Sequence, residues 1–99
     1  MSKAMDDLEA RAQRSLERLR DLADEMGAVR GRETSSDGVV TVVVDGNGAL
    51  QELELSAGIV KLTPAEFERL VVDTASRAAH RAFAERGDLV AAFNEEAAE

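Results

Sequence analysis

The sequence predicts an α+β fold, with a long N-terminal helix, an antiparallel sheet built on a hairpin, and a C-terminal helix. Three observations carry this reading. A valine-rich run ends at Asp45-Gly46-Asn47-Gly48 and gives way to an alternating run, which is the pattern of a hairpin. Apolar residues spaced three and four apart mark a helix on either side of it. Strands and helices are segregated along the chain instead of alternating, which favours an antiparallel sheet over a parallel one.

The first helix is read from Met5, Leu8, Ala12, Leu16, Leu19, Leu22, Ala23 and Met26. These positions form a narrow stripe close to a coiled-coil seam, interrupted by Ser15. A helix of roughly 22 residues is about 33 Å long at ~1.5 Å per residue. One small hairpin covers less than that, so part of the stripe is expected to meet another chain. Gly27 is the expected stop.

Residues 28–36 leave two readings open. Val29, Arg30, Gly31, Arg32, Glu33 and Thr34 alternate weakly, as a short edge strand or as a loop, with the strand favoured. Ser35-Ser36-Asp37-Gly38 reads as a turn. The next segment is firmer. Five of the six residues Val39–Val44 are valines, β-branched and suited to a pleated surface. A loop of two or four residues sets Val40, Val42 and Val44 on one face with Ala49, Gln51, Leu53 and Leu55. The other face then carries Val39, Thr41, Val43, Leu50, Glu52 and Glu54.

After Leu55, a connection brings Ile59 and Leu62 under the second helix. That helix begins clearly, with Thr63 as N-cap, Pro64 at the first helical position and Glu66 placed to close a capping box. Phe67, Val71, Val72, Ala75, Ala78, Ala79, Ala82 and Phe83 occupy one broad arc, and its alanines allow close approach. Glu66, Arg69, Asp73, Ser76, Arg77, His80 and Arg81 fall opposite. Gly87 is the expected end, and Asp88 the cap of a helical stub before the acidic tail Glu95–Glu99. The layout is thus one domain over 1–99: helix 1–27, antiparallel sheet 28–56, helix 63–86, stub and acidic tail 88–99. One helix covers only one face of the hairpin, so Val39, Val43 and Leu50, together with Leu19 and Leu22, are the candidate contacts of a homodimer.

Composition narrows the function. With three Phe and no Tyr or Trp the core is aliphatic, and a chain of 99 residues is often stabilised by association. There is no cysteine, hence no thiolate metal site and no thiol nucleophile. No apolar run reaches signal-peptide or membrane-span length, so a cytoplasmic location is expected. The formal net charge of −8 opposes tight association with a polyanion, so any DNA binding must come from a local arginine cluster and weaken with salt.

No catalytic constellation emerges. His80 is the only histidine and sits on a polar helix face, where a surface role is the plainer reading. No Gly-rich phosphate loop, Ser-His-Asp order or metal-ligand spacing occurs. Asp45-Gly46-Asn47-Gly48 starts like a calcium loop but has Ser56 where the bidentate Glu is needed, so it is read as a turn. No enzyme, cofactor or metal is expected. The candidate DNA contacts are Arg11, Arg14 and Arg18, within about 60° of arc on the first helix, with Lys3 nearby and Arg30 and Arg32 after it. The plainer reading is a salt-bridged helix face, since Asp7, Asp21 and Glu25 share the stripe and Asp7 stands four residues before Arg11.

These residues together resemble the YbaB/EbfC family of bacterial nucleoid-associated proteins over roughly Met5 to Glu85. The similarity is most specific from Asp37 to Leu50 with Leu53-Glu54-Leu55, a glycine, a valine-rich strand, an Asn/Asp-Gly turn and an alternating strand. The stretch Leu70–Ala78 resembles the family's small-residue second helix. The resemblance implies a three-stranded antiparallel sheet between the two helices, in a homodimer with projecting first helices. It also implies nucleoid-located binding of double-stranded DNA with little sequence preference. Ser76-Arg77 stands where many relatives carry Asn-Asp, and an acidic end replaces their Met/Pro/Gly-rich tail.

Two functions are therefore expected. The first is a non-catalytic, homodimeric DNA-binding protein that docks on phosphates through Arg11, Arg14 and Arg18, assisted by Arg30 and Arg32. The alternative is a dimeric module whose long helices bind a protein partner, for example of a secretion or regulatory system.

Overall fold

A computed structural model describes residues 2–98; Met1 and Glu99, the last acid of the expected tail, lie outside them. In chain order the elements are α1 (Lys3–Gly27), β1 (Arg30–Thr34), β2 (Val40–Asp45), β3 (Leu50–Leu55), a 3₁₀ segment (Ala57–Lys61) and α2 (Pro64–Ala98). The sheet is antiparallel in the order β1-β2-β3. Residues 30–34, open between strand and loop in the sequence, are a strand because β2 offers them a full ladder from Arg30↔Asp45 to Thr34↔Thr41.

Both turns are held by carboxylates that accept from donors within the turn. Asp37 accepts from Ser35 Oγ at 2.6 Å and from the Val39 N–H at 3.1 Å. Asp45 accepts from the Asn47 and Ala49 N–H groups at 2.9 and 3.0 Å. Four residues, 46–49, separate β2 from β3, and Gly48 takes φ +82°, a conformation that L side chains rarely adopt. The pairs Val40↔Leu55 and Val42↔Leu53 put these residues on one face, as the sequence predicts, in the register of the four-residue loop. Next to the turn the register differs. Val43 pairs with Glu52 but Val44 with Leu50, so Gln51 is a bulged residue. The bulge takes Leu50 out of the set expected to share a face with Val39 and Val43. Gln51 uses its freedom to donate to Asp45 Oδ2 at 3.1 Å.

The core lies between β2 and α2. Val40, Val42 and Val44 pack with Val29, Ala78 and Ala82, all almost inaccessible to solvent. Gly31 explains how closely the layers approach. A Cβ at Gly31 would collide with the Ala78 carbonyl and reach Ala82 Cβ at 3.0 Å, so small residues face one another from both layers. Thr74, fully buried among them, donates its hydroxyl to the Leu70 carbonyl at 2.7 Å and leaves no unpaired polar atom.

The second helix starts as expected. The Thr63 N–H donates to Glu66 Oε1 at 2.9 Å, and the Glu66 N–H donates to Thr63 Oγ1 at 3.1 Å, closing a capping box. It does not end as expected. Instead of stopping at Gly87, with Asp88 capping a separate stub, α2 continues unbroken to Ala98, 35 residues in all. A helical glycine costs about 1 kcal/mol relative to alanine. Burial beyond it offsets that cost: Leu89 packs against the core, and Leu89, Ala92 and Phe93 line a groove with Leu22 of α1. The terminal half of α2 and α1 therefore form an arm, and the molecule is 74 Å long but only 19 Å across. No helix among the described residues is long and apolar enough to cross a membrane.

Candidate nucleic-acid interface

The arm brings three of the expected arginines together. Helix α1 is capped by Ser2, whose Oγ accepts from the Met5 N–H at 3.2 Å, and it contains no buried residue. Arg11, Arg14 and Arg18 line one groove with Ser15, Glu17 and Asp21, and the opposite wall is Glu96 and Ala97 of α2. All three arginines are exposed, and none engages in an ion pair among the described residues. The expected Asp7–Arg11 pair does not form, so these guanidiniums remain available to an anion.

Arg30 and Arg32 stand apart from this cluster. Arg30 Nη1 donates to the carbonyls of Gly27 and Val29 at 3.1 and 2.7 Å, where its charge meets the negative end of the α1 dipole. Arg32 lies across the sheet and pairs with Glu54 at 3.3 Å. Sequence reading missed Arg86. It shares a cavity of about 350 Å³ with Arg30, Asp45 and Asn47, and donates to the Gly46 carbonyl and Asn47 Oδ1 at 3.2 and 3.1 Å. No sequence signal links Arg86 to the hairpin turn, about 40 residues away. His80, exposed on α2, has as its hydrogen-bond partner among the described residues the Ser76 carbonyl one turn earlier in its own helix.

Of the residues expected between two copies, Val39 and Val43 are already buried within the chain, and Val39 lies directly against Gly58 of the 3₁₀ segment. Leu22 is half-buried on α2, whereas Leu19 and Leu50 are exposed. A further apolar surface lies elsewhere. Helix α2 packs along β1 and β2 and scarcely touches β3. Leu53 and Leu55, paired with Val42 and Val40 and so on the α2 side of the sheet, are left 40% and 43% exposed. Val72 and Phe83, on the adjoining flank of α2, are 62% and 49% exposed. Alternation in β3 and the breadth of the α2 arc are the sequence signals for this surface. What they do not reveal is the sideways placement of the helix.

The sequence profile of the YbaB/EbfC DNA-binding family matches residues 1–96, nearly the whole chain and both helices of the arm. The chain belongs to the YbaB/EbfC DNA-binding family. Among solved structures, it is similar to the uncharacterized protein HP0035 from Helicobacter pylori. The two are 18% identical, the alignment covers 96% of this chain and 97% of that one, and the TM-score is 0.64. At that identity the likeness is one of fold: the YbaB-like arrangement of two long helices around a three-stranded sheet. No curated protein matches the sequence. Within the YbaB/EbfC fold, the arginine groove described above lies on the arm, away from the packed valine core.

Proposed function

We propose that this chain is a single YbaB/EbfC-like domain over residues 1–99, acting as a non-catalytic, homodimeric nucleoid-associated protein. It binds double-stranded DNA through the phosphate backbone, with little sequence preference. The observation that carries this reading is the exposed cluster of Arg11, Arg14 and Arg18 on the arm, with no ion pair among the described residues. Family membership supports DNA as the ligand. Exposed guanidiniums reach phosphates, and with no aromatic residue among the lining of their groove nothing inserts between bases, so docking is backbone-directed. Arg30 and Arg32 are auxiliary contacts, because each must leave an existing partner to reach DNA.

Dimerisation is proposed through the apolar surface of Leu53, Leu55, Val72 and Phe83, extended by Leu50. A contiguous apolar patch on a chain of this size is suited to a second copy. Pairing would present the arginine cluster twice and raise affinity by avidity. A gel-shift titration on a duplex over a salt series tests the function. Binding is expected at low ionic strength, falling steeply with salt, and the Arg11→Glu/Arg14→Glu variant is expected to lose it. Equal affinity of the variant would remove this site from the mechanism.

A second reading has its own support. The stripe Met5, Leu8, Leu16 and Leu19 is exposed on α1 because α2 packs against a different face of that helix. Such a stripe fits a partner helix, and thus a protein-binding module of a secretion or regulatory system. A pull-down from nuclease-treated lysate separates the two readings. A stoichiometric protein partner favours the second, and recovery of nucleic acid alone rejects it.

A further inference from the structure

The unbroken passage of α2 through Gly87 has an electrostatic result. It carries the acidic end of the chain onto the arginine-bearing face of α1 and not onto its leucine stripe. Glu96 lines a groove with Arg11, Arg14 and Arg18, and lines the adjoining groove with Arg18, Leu22 and Phe93. Leu89 packs against the core and Phe93 is half-buried beside Leu22, so the stretch of α2 that carries Glu96 is placed by packing and not merely by attraction. No ion pair closes between Glu96 and the three arginines among the described residues. The guanidiniums thus stay open to a ligand while the negative charge of Glu96 lowers the potential of the groove they line.

We propose that Glu96 is a built-in competitor of the phosphate backbone, an autoinhibitory charge that weakens DNA binding by the arginine face of α1. The inference rests on the DNA-binding reading above. A phosphate entering the groove meets the arginines, the acids Glu17 and Asp21 of the same helix, and this carboxylate brought from α2, so Glu96 adds to the repulsion that the arginines must overcome. The opposition is between exposed charges and is screened over about 10 Å at 0.1 M salt, so it acts most strongly at low ionic strength. Neutralising one such charge is worth a few-fold in affinity, as for exposed ion pairs generally.

The test is duplex binding by the full-length chain, by Glu96→Gln, and by Glu68→Gln. The last makes the same charge change on an exposed residue near the start of α2, away from the arm. Glu96→Gln is expected to bind about threefold more tightly than the parent near 50 mM salt. That gain should fade by about 0.3 M, and Glu68→Gln should change affinity much less. Thermal unfolding followed by circular dichroism checks that the variants stay folded. If the parent binds and Glu96→Gln gains no more than Glu68→Gln, the autoinhibitory role is overturned and the DNA-binding reading stands. Binding by Glu96→Gln where the parent shows none supports the proposal in its strongest form. Failure of every chain to bind at the lowest salt overturns the DNA-binding reading, and this inference with it.

Discussion

Arg81 donates through both Nε and Nη2 to one oxygen of Glu33, at 3.0 and 2.7 Å, and so ties α2 to the edge strand β1. Arg77 approaches the other Glu33 oxygen at 3.5 Å and is itself braced by Asp73 at 3.4 Å. Both arginines were expected on the side of α2 away from the sheet, yet they reach sideways to a carboxylate 48 residues before Arg81. Glu33 is the most enclosed member, with 19% of its side chain exposed, while the arginines remain largely in solvent. The network braces α2 over β1, where the valine core and Gly31 seat it, and that position leaves β3 uncovered.

A double-mutant cycle on this pair is expected to show a real but small coupling. Glu33→Gln and Arg81→Gln should each lower stability, with a coupling of about 0.5–1 kcal/mol, because the arginine end is solvated and screened. Urea unfolding of the four chains measures it, and raising the salt to 1 M should reduce it.

Gly31→Ala is expected to be among the most damaging single changes. The new methyl meets the Ala78 carbonyl, which belongs to helix backbone and has no rotamer to yield. The helix must lift from the sheet, at a cost of about 3 kcal/mol, the upper part of the usual range for overpacking. A drop of many degrees in Tm is expected, and an unchanged Tm would contradict the close approach of the two layers.

Gly87→Ala is expected to have the opposite sign. Nothing lies within 4 Å of a Cβ built at Gly87, and the residue is helical. The substitution should stabilise the chain by about 1 kcal/mol. Had Gly87 been a helix terminus in the left-handed conformation, alanine would destabilise. The sign of the change in Tm therefore decides between a continuous helix and a break.

Acid should destabilise the fold through three carboxylates. The Ser35 hydroxyl and the Val39 N–H hold Asp37 below the usual carboxylate range. The Ala49 and Asn47 N–H groups do the same for Asp45, and the Thr63 N–H and hydroxyl for Glu66. Each folded-state pKa lies below its unfolded value, so the unfolded chain binds more protons in acid. The stability they contribute is present above the unfolded carboxylate pKa and is lost as pH falls through the lower folded values. Urea midpoints should be level near pH 6–7 and fall below about pH 4. Asp45→Asn should flatten part of that fall. A parent chain with no acid loss would show that these hydrogen bonds do not persist in solution.

Leu53→Glu or Phe83→Glu should convert a dimer into a single-chain species. Both side chains are half-exposed in one chain, so charge there costs little until a second copy must cover it. Light scattering after size exclusion reads the result. A parent that is monomeric and folded at micromolar concentration would remove dimerisation from the proposed function.

Much of the architecture was legible locally. The stop near Gly27, the capping box at Thr63 and Glu66, the Asp45 turn and the common face of Val40, Val42, Leu53 and Leu55 depend on neighbours in sequence or on period-two alternation. The candidate site was legible only in part. Arg11, Arg14 and Arg18 share a groove because they share a helix face, which helical spacing alone predicts. Their separation from Arg30 and Arg32, and the arrival of Glu96 opposite them, depend on where distant elements pack.

What the sequence by itself determined is the kind and order of the elements, since hydrogen bonding and side-chain period act over a few residues. The tertiary structure alone decided the Gln51 bulge, the helix running through Gly87 and the sideways seat of α2. At Gly87 a local preference of about 1 kcal/mol is set against burial gained from residues far along the chain, and the bulge and the seat of α2 likewise depend on partners distant in sequence. The balance exists only once the layers have met: Gly31 admits α2 to the sheet, Glu33 holds it over β1, and Leu89 and Phe93 carry it past its glycine.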